Sequence, residues 1–215
     1  MKKVSASESL YELNRINVCV DGVPIHGFQG IELSRRHKRL VEEELTVPLS
    51  NGASKIQVSV VNEKGAESLA DTLQVTYSGT PVKPELYLLA VGVSNYEDKS
   101  NDLRYAASDA LKVERLWRGN PGPFSAVHPL VLVDQNATRD KITAAKAFLA
   151  GAGVNDVVVV FLSGHGVLDR NGAYYFGTWD FRARVPSEKG LPYSDIDHLL
   201  DGITARRKLV LIDTC

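Results

Sequence analysis

Cysteine is scarce. Cys19 and Cys215 are the two thiols in 215 residues, and they lie far apart. Two isolated thiols make no disulfide framework, so the sequence points to a reducing compartment. Long apolar runs are also missing: the longest strongly apolar stretch, 157–162, is far too short to span a bilayer. The basic start, Met1-Lys2-Lys3, is followed by no apolar stretch and so is not read as a secretory signal. A cytoplasmic protein without a membrane partner is expected. Neither sign of charge is in excess, with 25 Lys and Arg against 26 Asp and Glu. That balance gives no support to nucleic acid as a partner. The run Ser34-Arg35-Arg36-His37-Lys38-Arg39 is basic, but it stands alone and reads as a solvated loop or strand face.

What remains is ordinary for a globular protein, with 44% apolar and 24% charged residues. The length suggests one or two domains, and two regions differ in pattern. Between about 14 and 77, short β-rich runs alternate with turn signals. Runs at 16–20, 45–49, 55–61 and 72–77 are separated by Asp21-Gly22, Asn51-Gly52 and Glu63-Lys64-Gly65. Short strands with regular turns predict a small all-β sandwich over 1–80. Cys19, inside an alternating run, is most simply a buried core thiol. The segment resembles the immunoglobulin-like modules that precede catalytic domains in many bacterial proteins. Residues 78–84, with two prolines and a glycine, read as a linker.

From Glu85 the pattern changes. LYLLAVGV (86–93) is a continuous apolar run, as in a strand buried on both faces. Further strands are predicted at 127–133, 157–162 and 208–212. Helices are predicted at 105–117, with Ala106, Ala110, Val113 and Trp117 on one face, at 138–150 with Thr138 as N-cap, and at 194–200. Strands alternating with helices give an α/β fold with a mainly parallel sheet over 85–215.

In such sheets ligands bind beyond the carboxyl ends of the strands. The third strand ends in Ser163-Gly164-His165-Gly166 and the fourth in Asp213-Thr214-Cys215. Parallel strands put His165 and Cys215 on one edge. A cysteine nucleophile needs a nearby base, and histidine suits that task near neutral pH. The Gly166 N–H, with that of Cys215, could bind a developing oxyanion. Read singly, His165 could be structural and Cys215 a small core residue.

The blocks YLLAVGVSNY, LRYAASDA, VVVVFLSGHG and KLVLIDTC, in that order, resemble the caspase and metacaspase superfamily, its bacterial members most closely. The resemblance covers about 85–215. It implies a caspase-like cysteine endopeptidase acting on protein or peptide substrates through a thioester, with Cys215 as nucleophile and His165 as base. In metacaspase-like members an acidic pocket accepts Arg or Lys before the scissile bond. The matching positions here are Asp109, Asp213 and Ser163. A carboxylate pair would hold a cationic side chain by charge-assisted hydrogen bonds, although Asp109 could be a helix-surface acid and Asp213 a solvated strand-end charge. True caspases line this pocket with arginines, and only Arg104 lies near. The role implied for bacterial relatives is stress response, programmed death or defence.

Calcium-dependent metacaspases carry an acidic cluster after the histidine strand. Here that region offers Asp169, which reads as closing a turn with Asn171-Gly172, and Asp180. No cofactor or metal ligand is assigned, and calcium activation stays open. Residues 181–190 read as an exposed loop, which is a candidate processing site if the enzyme cuts after Arg. Family sequences continue past the cysteine, whereas this one stops there. A C-terminal fragment or partner chain completing the domain is therefore expected, and the chain alone is expected to be inactive or nearly so. The alternative is a catalytically inactive scaffold.

Overall fold

The computed structural model describes residues 2–214, so Cys215 lies outside the described residues. The chain divides into two compact units, residues 1–82 with 201–204, and residues 83–200 with 205–215.

The first unit is all-β. Its strands are β1 (Lys2–Ser7), β2 (Leu13–Val20), β3 (Val23–Pro24), β4 (Ile31–Glu32), β5 (Leu40–Leu45), β6 (Gly52–Asn62) and β7 (Asp71–Tyr77). β1 and β5 pair antiparallel, and β2, β3, β4, β6 and β7 form a separate antiparallel sheet. Apolar side chains of both sheets meet in one core that includes Ile16, Val18, Val20, Val41, Leu45, Ile56 and Val58. Asp21 and Gly22, both at positive φ (53° and 84°), turn β2 into β3. Primed two-residue turns of this kind match strand twist.

Two expectations need correction here. The run 45–49 is not a strand: β5 ends at Leu45 and β6 starts at Gly52. Pro48 lacks the N–H a ladder needs. Cys19 is half-buried rather than a core thiol. Ile16, Val18 and Val20 take the inward face of β2, which leaves Cys19 on the other face.

The second unit is α/β. Its strands are β8 (Leu86–Gly92), β9 (Val127–Val133), β10 (Val157–Gly164), β11 (Gly166–Leu168), β12 (Tyr174–Phe176), β13 (Leu191–Pro192) and β14 (Arg207–Thr214). Its helices are α1 (Ala106–Gly119), α2 (Arg139–Ala144), α3 (Lys146–Leu149) and α4 (Tyr193–Leu200). Four strands form a parallel sheet in the order β14-β10-β8-β9. The two inner strands are buried on both faces, which explains their unbroken apolar sequence. α1 lays Ala110, Val113 and Trp117 on this sheet, against Leu88, Ala90, Val159 and Phe161. β14 is an edge strand whose Leu209, Leu211 and Ile212 stay exposed.

The single helix expected over 138–150 is broken at Ala145. Its N–H is shared between the Lys141 and Ile142 carbonyls, at 3.2 and 3.1 Å, a tightening that separates α2 from α3. Thr138 does cap α2, accepting from the Lys141 N–H. The 181–190 segment is not uniformly exposed: Phe181, Pro186 and Gly190 are buried, and the exposed part is 182–185 with 187–189. No helix among the described residues is long and apolar enough to cross a membrane.

Candidate active site

The register of the parallel sheet aligns its carboxyl ends. Gly92 of β8 pairs with Ser163 of β10, Ser163 with Asp213 of β14, and Gly164 with Thr214. His165 follows Gly164 directly, and Cys215 follows Thr214. β11, β12 and β13 form a small antiparallel sheet that begins one residue beyond His165.

His165 is half-buried and held at three points. Its backbone N–H donates to the Tyr96 hydroxyl at 3.0 Å, and its Nε2 lies 2.9 Å from the Asn101 carbonyl oxygen. Its ring packs on Tyr96 and Phe181, with centroids 5.2 and 6.0 Å away. A carbonyl can only accept, so this bond places a proton on Nε2, and in the neutral ring the lone pair is then on Nδ1. A neutral imidazole with one nitrogen tied back is a base with a defined working end. Sequence reasoning missed both partners. Tyr96 could have been suspected from its place in the loop after β8. Asn101 acts through its main chain, which no residue type advertises.

Gly166 packs tightly. A Cβ there would lie 2.7 Å from Thr214 Oγ1 and 3.0 Å from both Thr214 Cβ and Tyr174 Cε2. The bare glycine lets the start of β11 approach the end of β14. Gly92 serves similarly, because a Cβ there would collide with the main chain of Ala106 and Ala107. That approach brings the first turn of α1, which carries Asp109, to the end of β8.

Of the three expected pocket residues, Ser163 and Asp213 are therefore in-register neighbours on adjacent strands. Ser163 is buried and Asp213 exposed. Asp109 is half-exposed, and its carboxylate lies 3.0 Å from Lys112 Nζ. Arg104 stacks over Tyr105, 5.1 Å from the ring centre. Asp169 does close the hairpin between β11 and β12, accepting from the Asn171 and Ala173 N–H groups at 2.8 and 2.9 Å. Asp180 anchors its loop by accepting from the Thr178 hydroxyl and pairing with Lys189. Among the described residues, no group of three or more His, Cys, Asp or Glu side chains is arranged to hold a metal ion.

A family model described as the caspase domain matches residues 87–215. No curated protein is significantly similar to the chain. Among solved structures, a structural-genomics protein of Geobacter sulfurreducens is 23% identical, with a TM-score of 0.48 over 61% of this chain and 51% of its own. A Photobacterium 2,6-sialyltransferase, solved with CMP and lactose, is 11% identical, with a TM-score of 0.22 over 75% of this chain and 33% of its own.

Proposed function

The chain belongs to the caspase-domain family, and from that premise we propose that it is a cysteine endopeptidase cutting after Arg or Lys through a dyad of His165 and Cys215. The observation that carries this reading is the register of β10 and β14, in which Gly164 pairs with Thr214, the residues immediately before His165 and Cys215. The Nε2 bond to Asn101 adds to it by leaving Nδ1 as the basic nitrogen.

In the proposed reaction the Cys215 thiol gives its proton to His165 Nδ1, and the sulfur attacks the scissile carbonyl carbon. The oxyanion is bound by the N–H groups of Gly166 and Cys215. As the C–N bond breaks, His165 returns the proton to the departing amine. Water, deprotonated by His165, then cleaves the thioester and regenerates the thiol. Asp213, Ser163 and Asp109 form the pocket for the basic side chain. Support for that pocket is the in-register pairing of Ser163 with Asp213 and the tight approach of the start of α1 to Gly92.

The domain boundaries proposed are 1–80 for an immunoglobulin-like module and 85–215 for the peptidase portion. A C-terminal fragment or partner chain completes the peptidase by covering β14, a reading supported by the exposed Leu209, Leu211 and Ile212 on that edge. A cytoplasmic role in bacterial stress, death or defence is proposed from the family resemblance alone.

Matched fluorogenic peptides ending in Arg, Lys or Asp test this, with and without the polypeptide that follows Cys215 and with C215A as control. Cleavage after Arg or Lys that vanishes in C215A is expected. Cleavage after Asp would overturn the pocket. No cleavage with the downstream polypeptide and calcium present would favour an interaction scaffold.

A further inference from the structure

The loop between β8 and α1 supplies two of the groups that hold His165, the Tyr96 hydroxyl and the Asn101 carbonyl. Something must in turn fix this loop, since it has no regular structure beyond one short 3-10 turn at Lys99–Asn101. Part of the answer is internal. The Leu103 N–H donates to the Ser94 carbonyl at 2.8 Å, and the Tyr96 N–H donates to Asp102 Oδ1 at 2.8 Å. These bonds close the loop on itself, with Asn101 enclosed by both ties. They do not attach it to the sheet.

The start of the loop is tied down by the Val93 N–H, which donates to the Ser163 carbonyl at 3.1 Å, and by the Ser94 hydroxyl oxygen, which accepts from the Ala107 N–H at 2.9 Å; the turn that follows β9 supplies further attachment. Asp134 Oδ1 accepts from the backbone N–H groups of Ser94 and Asn95, at 2.8 and 2.9 Å, and its Oδ2 accepts from Asn95 Nδ2 at 2.9 Å. The carboxylate thus holds the chain directly before Tyr96. The same turn reaches the far side of Tyr96 by a second path. The Ala137 N–H donates to the Asp134 carbonyl at 2.7 Å, the Ala137 carbonyl accepts from the Trp179 N–H at 3.0 Å, and the Trp179 carbonyl accepts from the Glu97 N–H at 2.9 Å. Asp134 itself has φ of +48°, a backbone that side-chain-bearing residues rarely adopt. That conformation is held in place by these bonds. Nothing in the reaction needs a carboxylate at this position, and the sequence reading did not single it out.

We infer that Asp134 is a positioning residue for the His165 imidazole, acting through Ser94, Asn95 and the loop that presents the Asn101 carbonyl. The inference rests on the dyad reading for its catalytic meaning, but its structural content can be tested apart from activity. Without the carboxylate, the 94–95 segment loses three hydrogen bonds at once and Ser94 keeps only its ties to Leu103 and Ala107, so the loop is held less firmly on one side of Tyr96 and the carbonyl that selects the Nε2–H tautomer shifts.

The test is the ring tautomer of His165, read by 15N NMR of the full chain labelled at histidine, with H165A to assign the signal. The wild-type ring is expected as a single Nε2–H tautomer. D134A is expected to give a mixture of tautomers. D134N, which keeps an oxygen acceptor for the two backbone N–H groups, is expected to restore the single form. N95A, which removes only the Oδ2 contact, provides a milder variant should D134A fail to fold. It is expected to shift the ring in the same direction. The His128 signal, from a ring bound to Glu85 near the amino ends of β8 and β9, monitors the fold. A His165 ring unchanged in D134A and N95A would overturn the inference. In the peptide assay with the downstream polypeptide, D134A is expected to lower kcat by up to about a hundredfold with KM little changed. H165A decides the other question: cleavage by H165A would sink the dyad reading, while the ring spectra would still settle what Asp134 does to His165.

Discussion

His165 Nε2 lies 2.9 Å from the carbonyl oxygen of Asn101, a residue 64 positions earlier in the chain. The acceptor belongs to the main chain, and that decides how substitutions behave. N101A removes a side chain and leaves the carbonyl, so peptide cleavage is expected to stay within about threefold of wild type, well under the hundredfold that a misplaced group costs. N101P is different. It deletes the N–H that donates to the Asp98 carbonyl at 3.0 Å, and it disfavours the helical backbone of Ser100. The carbonyl then moves, and a loss of about 10- to 100-fold in kcat is expected. Equal activity of the two variants would refute the carbonyl's role.

Tyr96 is 1% exposed, and its hydroxyl accepts from the His165 N–H. Y96F keeps the ring contacts with His165 and Phe181 but leaves that part-buried N–H without its acceptor. Such a loss costs about 1–3 kcal/mol, which lowers a melting midpoint by several degrees in a domain of this size, roughly 2–8 °C per kcal/mol. Thermal unfolding followed by circular dichroism measures it. An unchanged midpoint would mean that another group satisfies the N–H.

The parts legible in the sequence and the parts that were not differ in kind. β8 and β10 were readable because a parallel strand buried on both faces must be apolar throughout, and LYLLAVG and VVVVFL meet that demand. β5 was misread because Glu42, Glu43 and Glu44 occupy its centre, and only its pairing with β1 makes it a strand. In the second unit, His165 stood out because glycines flank it at a strand end. Asn101 did not, because every residue has a carbonyl and only the closed loop aims this one. Asp134 directly follows a predicted strand, and no local pattern marks it. Its partners, Ser94 and Asn95, are brought to it by the adjacency of β8 and β9, a property of the sheet order rather than of any local pattern.

In the all-β unit, Glu67 carries a pH signature. Its carboxyl is held below the usual carboxylate range, first by the Ser59 hydroxyl, then by Asn17 Nδ2 at 2.9 Å, with a smaller push upward from burial and a further pull from the Arg15 charge. A carboxylate whose folded pKa is lowered contributes stability that is present above its unfolded value, about 4.3. That contribution is lost as pH falls through the folded value. E67Q keeps an oxygen acceptor for Ser59 and Asn17 but cannot titrate. The urea midpoint of the wild type is therefore expected to fall more between pH 6 and pH 3 than that of E67Q. Parallel acid limbs in the two proteins would exclude Glu67 as a contributor.

Gly166 offers the sharpest separation of two roles at one residue. The proposed oxyanion donor is its backbone N–H, which alanine also has, so G166A leaves that donor in place. What G166A adds is a Cβ, 2.7 Å from Thr214 Oγ1 and 3.0 Å from Tyr174 Cε2. Both neighbours are already tied together, with the Tyr174 hydroxyl 3.3 Å from Thr214 Oγ1. Relief therefore requires the end of β14 to shift, and Thr214 is the residue before Cys215. Displacement of a nucleophile by a fraction of an ångström to 1 Å can cost up to about a hundredfold, so cleavage by G166A is expected to fall by roughly 10- to 100-fold. T214A removes the closer of the two Thr214 contacts, and the G166A/T214A pair is expected to recover part of the loss. That recovery would appear as a non-additive coupling between the two sites. Full activity of G166A would show that the end of β14 yields without moving the nucleophile. Loss without any rescue by T214A would place the damage at Tyr174 or within β11 instead.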